Sequence, residues 1–125
     1  MEAIHISATN DSPMVILDQQ AGIFEISGVS YSEHVKKFYA PVFEWFEVYS
    51  LQPNDETVVK FNFTYCNSAS IKAISILIDL FEKIEKAGYK VEVNWYYHPD
   101  DDDMLSLGRE LQDGMNVNFN FISCK

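Results

Sequence analysis

The chain has 125 residues, of which 47% are hydrophobic and 14% aromatic, which excludes intrinsic disorder and suits one domain spanning residues 1–125. Nine Lys and Arg stand against 19 Asp and Glu, a formal net charge of -10. That balance argues against nucleic acid and against anionic membrane surfaces, both of which demand clustered cations. What remains is an acidic protein that meets other proteins or small molecules.

The first twelve residues carry neither the basic nor the apolar region of a signal peptide, and no apolar run approaches the ~20 residues of a membrane span. Cys66 and Cys124 have no metal-ligand spacing and read as reduced, buried thiols. A cytoplasmic protein is expected.

In chain order, Met14 to Asp18 and Gly22 to Gly28 read as two short strands joined by a turn. Ser30 to Leu51 reads as helical, with Val35, Phe38, Val42, Phe46 and Tyr49 at helical spacing. Pro41 is expected to kink that helix or split it. Gln52 to Glu56 is a loop. Thr57 to Tyr65 is a strand, with Val59, Phe61, Phe63 and Tyr65 on one face. Ile71 to Ala87 is a helix with one apolar stripe, stopped by Gly88. Tyr89 to Tyr97 is a strand with Val91, Val93, Trp95 and Tyr97 on one face. Asp101 to Asp113 forms a short helix that Gly108 weakens, and Val117 to Ile122 is a last strand.

Strands alternating with helices predict an α/β fold built on a single mixed, largely parallel β-sheet. A sheet covered on both faces has continuously apolar strands. Here the strands alternate, with Lys60, Asn62, Thr64, Glu92, Asn94, Asn118 and Asn120 on the second face. The helices are therefore expected mainly on one face. The layout resembles the STAS-like domains of anti-sigma-factor antagonists.

The segment Tyr65-Cys66-Asn67-Ser68-Ala69-Ser70-Ile71-Lys72 joins a strand to the long amphipathic helix. Asn67 or Ser68 is placed to cap it. A hydroxyl there can also accept a phosphate, which would meet free N–H groups and the positive end of the helix dipole. Lys72, one turn on from Ser68, screens part of that charge. A phosphate would then stabilise the helix by ~0.3–1 kcal/mol rather than melt it. Any switch must act outward, on whatever docks there.

These residues resemble the SiaC-like regulatory phosphoproteins of bacteria. The resemblance rests on Ser12-Pro13, Asp18, Gly22, Ile26-Ser27-Gly28, Ser30-Tyr31-Ser32-Glu33, Phe38-Tyr39-Ala40-Pro41 and Trp45. It continues through Tyr65, Asn67-Ser68, Ser70, Lys72, Val93-Asn94-Trp95-Tyr96-Tyr97, Asp101-Asp102-Asp103-Met104 and Gly108. Ala69 and Ile71 interrupt the Ser/Thr-rich run that the family commonly has here. The resemblance implies a small α/β protein that is not an enzyme and needs no cofactor. It implies phosphorylation by a Ser/Thr protein kinase on Ser68, with Ser70 as runner-up, and removal of the phosphate by a PP2C-type phosphatase. It implies that the unphosphorylated form binds a diguanylate cyclase and promotes cyclic-di-GMP synthesis, hence biofilm growth or aggregation. The contact surface it suggests comprises Tyr65, Asn67, Ser68, Lys72, Trp95, Tyr97, Asp101, Asp102 and Asp103.

Two other readings stay open on the residues alone. One is a constitutive binding module in which Ser68 is only a cap. The other is a metal-dependent enzyme built on Asp100 to Asp103. That run lacks the alternating spacing and Gly of a calcium loop, and suits a solvated helix start or a patch for a basic partner. His5, His34 and His98 are scattered, with no nucleophile elbow and no phosphate-cradling Gly-rich loop. The aromatics Tyr31, Phe38, Tyr39, Phe43, Trp45, Phe46 and Tyr49 exceed what one helix face can bury. They suit either a split helix packing both ways or an exposed aromatic surface for a partner.

Overall fold

The computed structural model describes residues 1–124. The element order is β1 (Ile4–Ile6), β2 (Met14–Asp18), β3 (Ile23–Ser30), α1 (Val35–Tyr49), β4 (Glu56–Cys66), α2 (Ser68–Lys86), β5 (Lys90–Tyr97), α3 (Asp102–Gln112) and β6 (Asn118–Ser123). The strands form one six-stranded sheet whose spatial order follows the chain, β1 to β6. The β1–β2 and β2–β3 pairs are antiparallel, and the three pairs from β3 to β6 are parallel.

That order explains where the helices lie. Parallel crossovers are right-handed almost without exception. When each one advances the sheet in the same direction, every crossover helix lands on the same face. Phe24, Val59, Phe61, Val93 and Trp95 share that face by register. Phe46 and Tyr49 of α1 pack on Phe24, and Phe81 of α2 on Phe61. Met104 of α3 accepts a hydrogen bond on its carbonyl from Trp95 Nε1, at 2.9 Å. The expectation of helices mainly on one face thus holds for all three.

The other face is polar, and among the described residues no helix lies on it. Glu25, Lys60, Asn94 and Asn120 form one row across four strands. Lys60 Nζ lies 4.0 Å from the Glu25 carboxylate and 4.6 Å above the Tyr96 ring. Asn120 donates to Asn94 at 3.0 Å. Because the strand order never reverses, the crevice that α/β proteins open at a reversal point does not arise.

Several expectations are corrected. The helix predicted from Ser30 begins only at Val35, because Ser30 completes β3. Pro41 does not split α1; it sits on the exposed side, where its missing N–H faces solvent. The aromatics of α1 are accommodated without a split: Tyr39, Trp45, Phe46 and Tyr49 are buried, and Phe38 and Phe43 are partly covered. The chain's N-terminus supplies the extra cover, with Trp45 Nε1 donating to the Glu2 carbonyl at 2.8 Å. The short edge strand β1 was not foreseen; three residues are too few to show a period. Gly108 does more than weaken α3. A Cβ there would come within 2.6 Å of Trp95 and 2.9 Å of Phe121, so only Gly lets α3 approach the sheet.

Candidate functional site

The end of β4 is where the alternation predicted from the sequence breaks. Gly28 of β3 sits opposite Phe63, but the next residue, Val29, sits opposite Tyr65. Thr64 is thus left without a partner, and the strand's parity flips. Phe63 faces the core, whereas Tyr65 is 53% exposed. Tyr65 therefore does not join Val59, Phe61 and Phe63 as the alternation predicted. It stands at the surface, edge-to-face with Tyr31 at 5.8 Å. Cys66 turns inward instead, where burial pushes its thiol up to about 12. A thiol so placed is protonated at neutral pH and is a poor nucleophile.

The next residue ends the strand and starts α2. Asn67 is the N-cap: its side-chain oxygen accepts the Ser70 N–H at 2.9 Å, and its carbonyl accepts the Ile71 N–H at 3.0 Å. Its own N–H donates to the Ser30 carbonyl at 3.0 Å. Ser68 is the first helical residue and is exposed. The N–H groups of Ser68 and Ala69 have no partner within the helix. No acidic residue occupies this first turn, so the positive end of α2 is not offset locally.

Ser70 lies two residues on and is fully buried. Its hydroxyl donates to the Ser30 carbonyl at 2.7 Å and accepts from the Ser30 hydroxyl at 2.8 Å. With the Ser30 proton so used, the Tyr39 hydroxyl is the donor in its 2.8 Å contact with Ser30 Oγ. Three hydroxyls thus form one directed chain. Burial raises the Tyr39 phenol well above the usual tyrosine range and keeps it neutral. Ser70, the runner-up phosphate acceptor of the sequence reading, thus has its oxygen sealed and both its bonding roles used.

On the neighbouring crossover, Asp101 caps α3 by accepting the Met104 N–H at 2.9 Å. Asp102 and Asp103 occupy its first turn and are exposed. The two helix starts flank a cleft of about 260 Å³, with Cys66, Ile71, Met104 and Leu107 beneath and Tyr65, Asp101 and Asp103 at its edge. The structure therefore gathers Tyr65, Asn67, Ser68, Asp101 and Asp103 at one end of the sheet. Lys72 is exposed and lies toward α1 instead, lining a separate groove with Lys36 and Phe43. Tyr97 is partly buried against the core.

Trp95 is a correction. Its place in a conspicuous aromatic run suggested a contact residue, but it is 0% exposed. It stacks on Phe119, meets Phe61 edge-on and Phe63 at a tilt, and supports α3 through its bond to the Met104 carbonyl. As site candidates, Tyr31 and Tyr39 enter the sequence reading only among the aromatics of a possible partner surface, and Ser30 has no site role there. Ser30 and Tyr31 directly precede the crossover into α1, and only the folded sheet brings them beside Ser70 and Tyr65.

An exposed serine on a helix start, an aromatic pair and an acidic neighbouring turn thus lie at the same end of the sheet as a shallow cleft. The SiaC family of regulatory phosphoproteins matches residues 6–124, and the chain belongs to that family. An uncharacterised protein of Pseudomonas aeruginosa strain UCBPP-PA14 is 27% identical over 119 residues, covering 95% of this chain and 94% of the relative. The crystal structure of apo-SiaC from Pseudomonas aeruginosa superimposes with a TM-score of 0.89 at 27% identity, covering 98% of this chain and 99% of that one. SiaC in a crystal structure with the diguanylate cyclase SiaD, described there as its activator, gives a TM-score of 0.90 at 25% identity. That match covers 97% of this chain and 99% of the other.

Proposed function

We propose that residues 1–125 act as one cytoplasmic, non-enzymatic partner switch, phosphorylated on Ser68 by a Ser/Thr protein kinase and restored by a PP2C-type phosphatase. In the unphosphorylated state it binds and activates a diguanylate cyclase, and so raises cyclic-di-GMP. The activator role of the similar SiaC toward SiaD supports the choice of partner. The observation that carries the site is the contrast between two serines two residues apart. Ser68 is exposed over an uncompensated helix start, and Ser70 is sealed in a hydroxyl chain.

The chemistry follows from that position. A phosphate on Ser68 adds roughly 1.5 to 2 negative charges at one surface point. Free first-turn N–H groups and the α2 dipole stabilise it, so the helix stays folded. A partner seated over this end would have to desolvate that charge or withdraw from it. The chain's total would move only from -10 to about -12. The effect therefore depends on where the charge appears, not on the sum.

Incubation with the cognate kinase and ATP, followed by mass spectrometry, tests the site. Phosphate incorporation is expected to vanish in Ser68→Ala and to persist in Ser70→Ala. Incorporation unchanged in Ser68→Ala would overturn the assignment. Cyclase assays with unmodified and phosphorylated protein test the partner, and stimulation should come from the unmodified form only.

A further inference from the structure

The outer surface of the helical layer holds an apolar groove between α1 and α2. Beside the α2 start it is a slot of about 110 Å³ floored by Phe43, Ala69, Ala73 and Ile76, with Lys36 and Lys72 at its rim. Past Phe43 and Ile76 it widens along the helices into a depression of about 720 Å³, lined by Leu51 and Leu80 with Glu47, Asp79 and Lys83. Ile76 is 48% exposed and Leu51 82% exposed, an apolar stripe left open by the described residues.

The charges at the rim say what kind of occupant fits. Lys60, Lys86 and Lys90 are each matched by a glutamate. Lys36 and Lys72, like Lys37, Lys83 and Arg109, enter no ion pair among the described residues. What sets Lys36 and Lys72 apart is their place: among the described residues no carboxylate lines the apolar slot they rim, so its charge suits carboxylates from outside. From Lys72 to Lys83 the groove follows α2 for about three turns. That is the length over which a helix lays apolar residues at i, i+3 or i+4 and i+7 into a groove.

We infer that this groove takes an amphipathic helix of a partner protein, apolar along one stripe and acidic at the end that meets Lys36 and Lys72. Ser68 is four residues before Lys72 and next to Ala69, which floors the slot. In its regulation the inference rests on the phospho-switch reading above. A phosphate on Ser68 engages Lys72 at helical spacing and repels the incoming carboxylates.

Fluorescence anisotropy on the full chain tests it with two labelled, side-chain-stapled helical peptides of about three turns. Both carry Leu at i, i+3 and i+7; one has two Glu in its first turn and the other two Lys. The Glu peptide is expected to bind at least about tenfold more tightly than the Lys peptide, and the more weakly as salt rises. Lys36→Glu/Lys72→Glu and, separately, Ile76→Asp should each cost it about tenfold. All three positions are exposed or at the rim, and circular dichroism melts confirm folding of each variant. No binding, equal binding of the two peptides, or indifference to both variants overturns the inference.

A cyclase arm separates this from the switch. Cyclase binding that is lost on Ser68 phosphorylation but indifferent to both variants overturns the groove and leaves the switch standing. Groove-dependent peptide binding alongside cyclase binding that ignores Ser68 phosphate overturns the switch and leaves the groove.

Discussion

The starts of α2 and α3 lie on either side of one cleft, at the same end of the sheet, yet they treat charge in opposite ways. The start of α3 carries its own compensation: Asp101 caps it, and Asp102 and Asp103 fill the first turn. The start of α2 has the neutral cap Asn67, then Ser68 and Ala69, and no acid. A helix that already holds carboxylates gains little from another anion. One that holds none can accept a phosphate without strain. The two helices also differ in anchorage. Seven residues of α2 are buried along its length, from Ser70 to Ile84. Within α3 only Met104 and Gly108 are buried, and both lie over Trp95.

The largest expected effect tests that difference in anchorage. Trp95→Ala should cost about 3–5 kcal/mol, because it empties a fully buried indole site and removes the donor to the Met104 carbonyl. Denaturant unfolding would give the loss, and hydrogen exchange would locate it. Protection should fall first in α3, while the middle of α2 stays protected. Equal loss in both helices would show that α3 has anchors beyond Trp95.

A second substitution pair tests the two serines. Ser70→Ala leaves the buried Ser30 hydroxyl and carbonyl each short of a partner and should cost about 1–3 kcal/mol. Ser68→Ala should change stability by no more than about 0.5 kcal/mol, since Asn67 rather than Ser68 is the cap. Thermal melts of the two variants decide it. A costly Ser68→Ala with a harmless Ser70→Ala would reverse the roles assigned to them.

The smallest effect sharpens the comparison of charge. Phosphorylated Ser68 should stabilise the fold by ~0.3–1 kcal/mol at low salt, and the gain should shrink as salt is added. Placing a carboxylate in the same turn by Ala69→Glu should reduce that gain, because α2 would then resemble α3. A gain that is unaffected by salt and by Ala69→Glu would mean that hydrogen bonding, not the dipole, holds the phosphate.

The layout of the sheet was legible in the chain because it depends on repeating patterns. Apolar residues at every second position marked β4 and β5, and those at three-to-four-residue spacing marked α2. The polar partners Lys60, Asn94 and Asn120 pointed to helices mainly on the opposite face of the sheet, and the three helices pack there. The candidate segment from Tyr65 to Lys72 was legible too, since a polar pair between a strand and an amphipathic helix marks a helix start. Patterns also misled. Trp95 sat in a conspicuous aromatic run and is core. Pro41 looked like a break and is tolerated on the solvent side of α1.

The sequence by itself determined the alternation of strands and helices, the one-sided burial and the place where α2 begins. These follow from the spacing of apolar residues and from cap chemistry, which act over a few residues. The tertiary structure alone decided which serine is open and which tyrosine is displayed. The unpaired Thr64 flips the parity of β4 and turns Tyr65 outward. Ser30, forty residues from Ser70, reaches it only because β3 and β4 pair in parallel. Once there it seals one hydroxyl and leaves Ser68 at the surface. The fate of a side chain at such a junction is set by neighbours remote in the chain, and no local spacing encodes them.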